Sequence, residues 1–300
     1  MNGRDKGLDM KKALKVVGVV LILVIIGIVI YWMVPYSPEK AKFQKRMQKR
    51  VEQLGESKEV CSQEEIQKLP KPLQRYCKYI GLENTPKYKS VNAFFEDTDF
   101  VFDTKSGKVM KMDYDLWLFN EFDGKTFRSA FCSASMYGIP FEGEDYATED
   151  NQGGMRGILA KSIQIFDVRD EQGYKAGLIS WLVECSVINP SALLSPAITY
   201  KELDDTHVEA TISANGVTGS GIFTFNEEGA ITEFYSDERQ VEEIDGEKIE
   251  MGWRCICDNY EMQNGIKIPT KIKSIKIFPD GKELVYFAAQ DYTVQYDFKE

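Results

Sequence analysis

The sequence predicts a mainly β protein with some helix (α+β). An N-terminal transmembrane helix comes first, then a curved antiparallel meander, a half-barrel or open barrel with a few helices on its concave side. Three observations predict it. One unbroken apolar run lies near the N-terminus; the apolar pattern changes to a period of two from Tyr88 onward; and Asx-Gly pairs punctuate the rest at hairpin spacing.

The apolar run is Ala13 to Val34, "ALKVVGVVLILVIIGIVIYWMV", broken only by Lys15. At 1.5 Å per residue these 22 residues reach about 33 Å, enough for a hydrocarbon core of about 30 Å. Tyr31 and Trp32 stand where an interfacial aromatic belt belongs. No small-x-small cleavage site follows, so the run reads as an uncleaved signal anchor. Basic residues flank both sides, but Lys11, Lys12 and Lys15 abut the run while Lys40 is more distant. This favours an inside N-terminus and an extracytoplasmic body at the cell membrane. The implied organisation is a short cytoplasmic tail (1–12), a single transmembrane helix (13–34), a basic juxtamembrane helix and linker (35–67), and an extracytoplasmic β-rich domain (68–300).

Charge is distributed to match. Residues 1–60 hold 12 Lys and Arg against 6 Asp and Glu, whereas the whole chain of 300 residues carries a net charge of −10. An acidic body argues against nucleic-acid binding. Membrane lipids are the expected partner of Ala13 to Val34.

Ser37-Pro38 is a helix start, an N-cap oxygen followed by proline at the first helical position. Phe43, Met47, Val51 and Leu54 then form a narrow apolar stripe on an otherwise basic helix (38–54) that Gly55 ends. Such a helix lies along an anionic membrane surface or stands as a solvated stalk. Ser62 and Glu65 have capping-box spacing, and Leu73, Tyr76, Cys77 and Ile80 share one face of a helix that Gly81 can cap. This segment reads as a helical entry packed onto the main domain.

In "KVMKMDYDLWLFN", Met110, Met112, Tyr114, Leu116 and Leu118 point one way and Lys111, Asp113 and Asp115 the other. Tight hairpins are expected at Asp123-Gly124, Asn215-Gly216, Asp245-Gly246, Asn264-Gly265 and Asp280-Gly281. Accumulated twist should curl so long a meander. "AGLISWLVECSVINPSALLS" (176–195) interrupts it with a helix.

The segments "LPKPLQRYCKYIG" (69–81), "GIPFEGEDYATEDNQGGMRGILAK" (138–161), "LVECSVINPSALL" (182–194), "GSGIFTFNEEG" (219–229) and "NGIKIPT" (264–270) resemble an uncharacterised bacterial family, a domain of unknown function commonly found behind an N-terminal membrane segment. The resemblance runs from about residue 68 to the C-terminus and brings no catalytic residues with it. The meander also resembles, more loosely, the half-barrel of periplasmic lipoprotein carriers, which implies a cavity for acyl chains.

The single histidine, His207, shares a strand face with Glu209 and Thr211 and should meet solvent. No HExxH, GxSxG or GxxxxGK[ST] pattern occurs. Cys255 and Cys257 share a strand face but lack further metal ligands, Cys61 and Cys77 are the pair that an oxidising compartment could join, and small buried hydrophobes are the larger expectation for all six cysteines. "FEGEDYATED" reads as an acidic loop whose Glu142, Glu144, Asp145, Glu149 and Asp150 have no EF-hand spacing.

No cofactor, metal ligand or catalytic residue is assigned. The candidate binding residues are Ser180, Trp181 and Glu184. They lie opposite the face formed by Leu178, Ile179, Leu182 and Val183, with Trp181 as an apolar wall and Glu184 as the polar contact. The expected function is a membrane-tethered, extracytoplasmic binding or chaperone-like domain for an apolar or lipid ligand, non-enzymatic. The alternatives are an enzyme of unrecognised type using carboxylates, hydrolase-like, and a protein-interaction module.

Overall fold

The computed structural model describes residues 4–148, 150, 152–242 and 248–297. Four helices precede the sheet: α1 (Arg4–Met33), α2 (Pro38–Leu54), α3 (Gln63–Ile66) and α4 (Lys71–Ile80). Six strands follow, β1 (Ser90–Val101), β2 (Val109–Asn120), β3 (Thr126–Met136), β4 (Ile139–Ala147), β5 (Gly153–Leu159) and β6 (Ile163–Arg169). Helix α5 (Glu171–Ile188) and a 3₁₀ helix (Pro190–Leu194) separate them from β7 (Ile198–Glu202), β8 (His207–Ala214), β9 (Val217–Phe225), β10 (Ile231–Glu242), β11 (Lys248–Gln263), β12 (Ile266–Ile277), β13 (Glu283–Gln290) and β14 (Thr293–Tyr296).

The strands form one antiparallel sheet in the order β6-β5-β4-β3-β2-β1-β13-β12-β11-β10-β9-β8-β7, with β14 paired to β1 off this path. It is the curled half-barrel that the sequence predicts. Two meanders meet where β13 returns to β1, with Asp99 opposite Ala288. The edge strands β6 and β7 are consecutive in the chain, so α5 between them lies on the concave side, against β5, β9, β10 and β4. Asp170 caps it by accepting from Gly173 N at 2.7 Å.

Local signals account for many element ends. Ser37 caps α2, accepting from Lys40 N at 3.2 Å, and Gly81 ends α4 in the left-handed region at φ 76°. The Ser62–Glu65 capping box forms in both directions. Asn215-Gly216 and Asn264-Gly265 make two-residue turns with positive φ at both residues. Asp123-Gly124 and Asp280-Gly281 do not: only their glycines are positive, and each sits in a longer loop. Asp245-Gly246 lies outside the described residues. Two further turns with positive φ at both residues carry no Asx-Gly signal, Tyr137-Gly138 and Ala160-Lys161.

Two expectations are corrected. "FEGEDYATED" is not a loop, because Phe141 to Ala147 form most of β4, paired to β3 and β5. Helix α2 does not offer its apolar stripe to lipid or solvent. Phe43 and Met47 are buried against Trp117, Phe119 and Phe131 on a second, separate cluster, with Val51 and Leu54 packed beside them. Two of its basic residues meet carboxylates of the β-domain: Arg46 bonds Glu144 and Arg50 bonds Glu121. Strands β2 and β3 thus carry large apolar residues on both faces, with α5 covering one and α2 the other.

The main core unites α4, α5, the 3₁₀ helix and the concave sheet, with Tyr76, Tyr174, Trp181, Phe223 and Phe234 among its fully buried side chains. Cys61, Cys77, Cys185, Cys255 and Cys257 are buried free thiols. Helix α1 is long and apolar enough to cross a membrane, and its side chains from Met10 to Met33 are exposed save for partly covered Gly18 and Trp32. Lys161, in the β5–β6 turn, holds the end of this helix, donating to the carbonyls of Tyr31 at 3.2 Å, Val34 at 2.5 Å and Tyr36 at 3.2 Å.

Candidate functional site

Helix α5 fills only part of the concave side. Beside it lies a cavity of about 610 Å³, within the range of sites that enclose small apolar molecules. The period of two on β2 delivers Met112, Tyr114 and Leu116 to it, and Phe95, Phe100, Met251, Ile272 and Phe287 add further apolar surface. From α5 come Ser180, Val183, Glu184 and Val187, one stripe at helical spacing. The lining residues most open to solvent include Met155 and Ile165, 41% and 48% exposed. The mouth therefore runs along the β5–β6 hairpin, the same hairpin whose Lys161 grips the end of α1.

Two polar centres stand in this apolar wall. The first is Arg128 on β3, whose side chain is 3% exposed. Its Nε and Nη2 donate to the two oxygens of Glu184 at 2.6 and 2.9 Å, Nη1 donates to Asp145 at 2.8 Å, and Nη2 also reaches Tyr114 Oη at 2.8 Å. This is a two-pronged carboxylate pair in which all three guanidinium nitrogens are bonded. Burial still pushes the Glu184 carboxyl above its ordinary range, against the pull of Arg128. Both acids share one guanidinium.

The second is Arg239 on β10. Its guanidinium lies over the Trp253 ring, 4.3 Å from the centroid, and Nη1 donates to Ser180 Oγ at 3.2 Å. The indole of Trp253 is held in turn by a 2.9 Å bond to Tyr286 Oη. The pairing of β10 with β11 slips between Ser236 and Arg239. Such a bulge re-aims the side chain that follows it, here toward the cavity.

Of the three residues singled out in the sequence, Ser180 and Glu184 line the cavity and Trp181 does not. Trp181 is fully buried and donates its Nε1 proton to the Phe119 carbonyl at 3.0 Å, pinning α5 to the sheet. Arg128 and Arg239 escape sequence reasoning. The even positions of "TFRSAFCSAS" gave a signal for Arg128, which alternates with Ala130 and Cys132; Arg239 gave none, because the bulge inverts its face.

The acidic residues of 142–150 do not converge. Asp145 points to Arg128 inside, while Glu144 meets Arg46, Arg156 and Ser129 outside. Glu149 lies outside the described residues. His207 is partly exposed, with Nδ1 2.9 Å from Asp204.

Residues 59–289 match DUF6544, a family of unknown function. No curated protein matches the chain. Among solved structures, a DUF1329 family protein from Desulfovibrio piger ATCC 29098 aligns with a TM-score of 0.37 and 12% identity, covering 71% of this chain and 88% of that one. A LolA superfamily protein from Nitrosomonas europaea aligns with a TM-score of 0.33 and 11% identity, covering 76% and 92%.

Proposed function

The chain belongs to the DUF6544 family, and from that premise and its own geometry we propose that it is a membrane-tethered domain that binds an apolar or amphipathic ligand without chemical conversion. The cavity carries this reading. Aromatic and aliphatic side chains make most of its wall, and Arg128, Glu184, Arg239 and Lys276 are among the charged groups that interrupt it. The anchor adds the source. The mouth runs along a hairpin whose turn holds the end of an apolar, exposed helix, so the natural supply of ligand is the membrane itself. The basic residues next to the apolar run support a body outside the cytoplasmic membrane. The residues proposed to meet the ligand are Ser180 and Glu184 with the apolar lining, and Trp181 supports them from behind.

Native mass spectrometry of the full chain released from its host membranes tests this. A lipid-sized adduct should accompany the wild type and be lost in Ala130→Phe, which fills the cavity from β3. A wild-type protein that carries no adduct and takes up none from added lipid sinks the reading.

A further inference from the structure

We propose that Arg239 is an anion receptor and that the ligand is an anionic amphiphile, its acidic head on Arg239 and its tail along the apolar wall. This rests on the cavity being a ligand site and goes on to name the class of ligand.

Guanidinium groups have five N–H donors in a rigid fork that matches carboxylate and phosphate. Arg128 uses its donors on protein partners, two carboxylates and a phenol. Among the described residues Arg239 donates one bond, to Ser180, and no carboxylate oxygen lies within 4.0 Å of it. The carboxylates nearest in the fold are engaged elsewhere. Both oxygens of Glu184 are occupied by Arg128, and Glu238, one residue before Arg239, binds Lys175 at 2.5 Å and accepts from Ser220.

The mounting is also specific. Trp253 lies beneath the guanidinium plane, where a cation is attracted by the ring face while its edge donors stay available. Trp253 cannot turn away without losing Tyr286. The bulge between Ser236 and Arg239 interrupts an otherwise regular ladder to bring the cation to the concave side. A positive group delivered into the cavity, with most of its donors unused among the described residues, calls for an anion, and the apolar residues that line the same cavity, Met251, Cys255 and Ile272, call for a tail.

The test uses the full chain in nanodiscs of zwitterionic lipid, with photoactivatable palmitate and the matching palmityl alcohol as probes. Labelling is mapped and counted by mass spectrometry. The acid should label cavity residues about tenfold or more over the alcohol. Arg239→Gln should abolish that preference while leaving alcohol labelling unchanged, which also reports that the cavity is intact. Arg239→Lys should restore part of it, since charge returns without the fork. Equal labelling by acid and alcohol in the wild type, or a preference that survives Arg239→Gln, overturns the anion assignment and leaves the cavity reading standing. Labelling by neither probe overturns both. Inorganic phosphate is the last arm: if it displaces the acid while the alcohol never labels, the site serves a free anion and the amphiphile is wrong.

Discussion

Arg128 and Arg239 stand on the same concave surface, and each has a tryptophan nearby, yet their surroundings are opposite. Arg128 also lines the cavity, but protein groups enclose its guanidinium. Trp181 is bonded to Phe119, Glu184 and Asp145 close on the guanidinium, and α5 is packed on the sheet. Around Arg239 there is space. Trp253 supplies a platform and Ser180 one acceptor, and beyond them lies the cavity. Two arginines lining one cavity thus divide into one bonded through all three nitrogens and one that, among the described residues, has a single bond. Hydrogen-bond inventory, more than burial, distinguishes them.

The contrast should be most visible when each arginine is removed. Arg128→Met leaves Glu184 and Asp145 unpaired in the wall and should cost about 3–5 kcal/mol. Arg239→Met orphans no carboxylate and should cost less than about 1 kcal/mol. Thermal unfolding of both variants compares them, and equal losses would erase the distinction. Trp181→Leu should come next, at about 2–3 kcal/mol, because it opens a gap and leaves the buried Phe119 carbonyl without its donor. If this variant is as stable as wild type, Trp181 does not pin α5 to the sheet.

A smaller effect is expected from Gly265→Val. Gly265 sits at φ +87° in a two-residue turn, a conformation that valine adopts only under strain, and the loss should be about 1–2 kcal/mol with cavity labelling retained. Loss of labelling with stability unchanged would mean that the hairpin controls the site rather than the scaffold.

The smallest effect concerns a carboxylate outside both regions. Burial opposes it, but bonds from Lys87 and Ser62 hold Glu65 down at about 2 from a reference value of 4.5. A lowered carboxylate gives stability that is present above its unfolded value and lost as pH falls through the folded one. Wild type should therefore lose stability relative to Glu65→Gln between pH 4.5 and about 2. Parallel acid-unfolding curves for the two proteins would remove Glu65 from the account.

These differences also show what the sequence could and could not reveal. The sheet was legible because Asn215-Gly216 and Asn264-Gly265 combine a turn signal with alternating flanks. Tyr137-Gly138 and Ala160-Lys161 form the same geometry from residues with no such signal, so tertiary pairing imposes it. β4 was hidden because Glu142, Glu144 and Asp145 make both its faces polar in sequence, although Glu144 and Asp145 find arginines on other elements, Arg46, Arg156 and Arg128. The stripe on α2 was visible, but its cover was not, since Trp117, Phe119 and Phe131 could as well have faced the main core. Of the site, Ser180 and Glu184 followed from helical spacing. Arg239 did not: alternation from Phe234 assigns it to the outer face, and a one-residue bulge reverses the assignment.

The junction at Lys161 bears on how strongly the cavity needs to bind. Residues 34–37 are all that separates the end of α1 from α2, a reach of at most about 14 Å, and three carbonyls in and beside that stretch are already fastened to Lys161. With α1 in a bilayer the mouth cannot wander into bulk solvent. On the proposed reading it would meet lipid at a local concentration fixed by geometry instead of by how much protein the cell makes. Under that condition weak intrinsic affinity is enough for steady occupancy, and fast release comes with it. On that reading, lengthening residues 34–37 with a flexible glycine-serine insert would lower the local concentration, and the site would have to compete for its ligand.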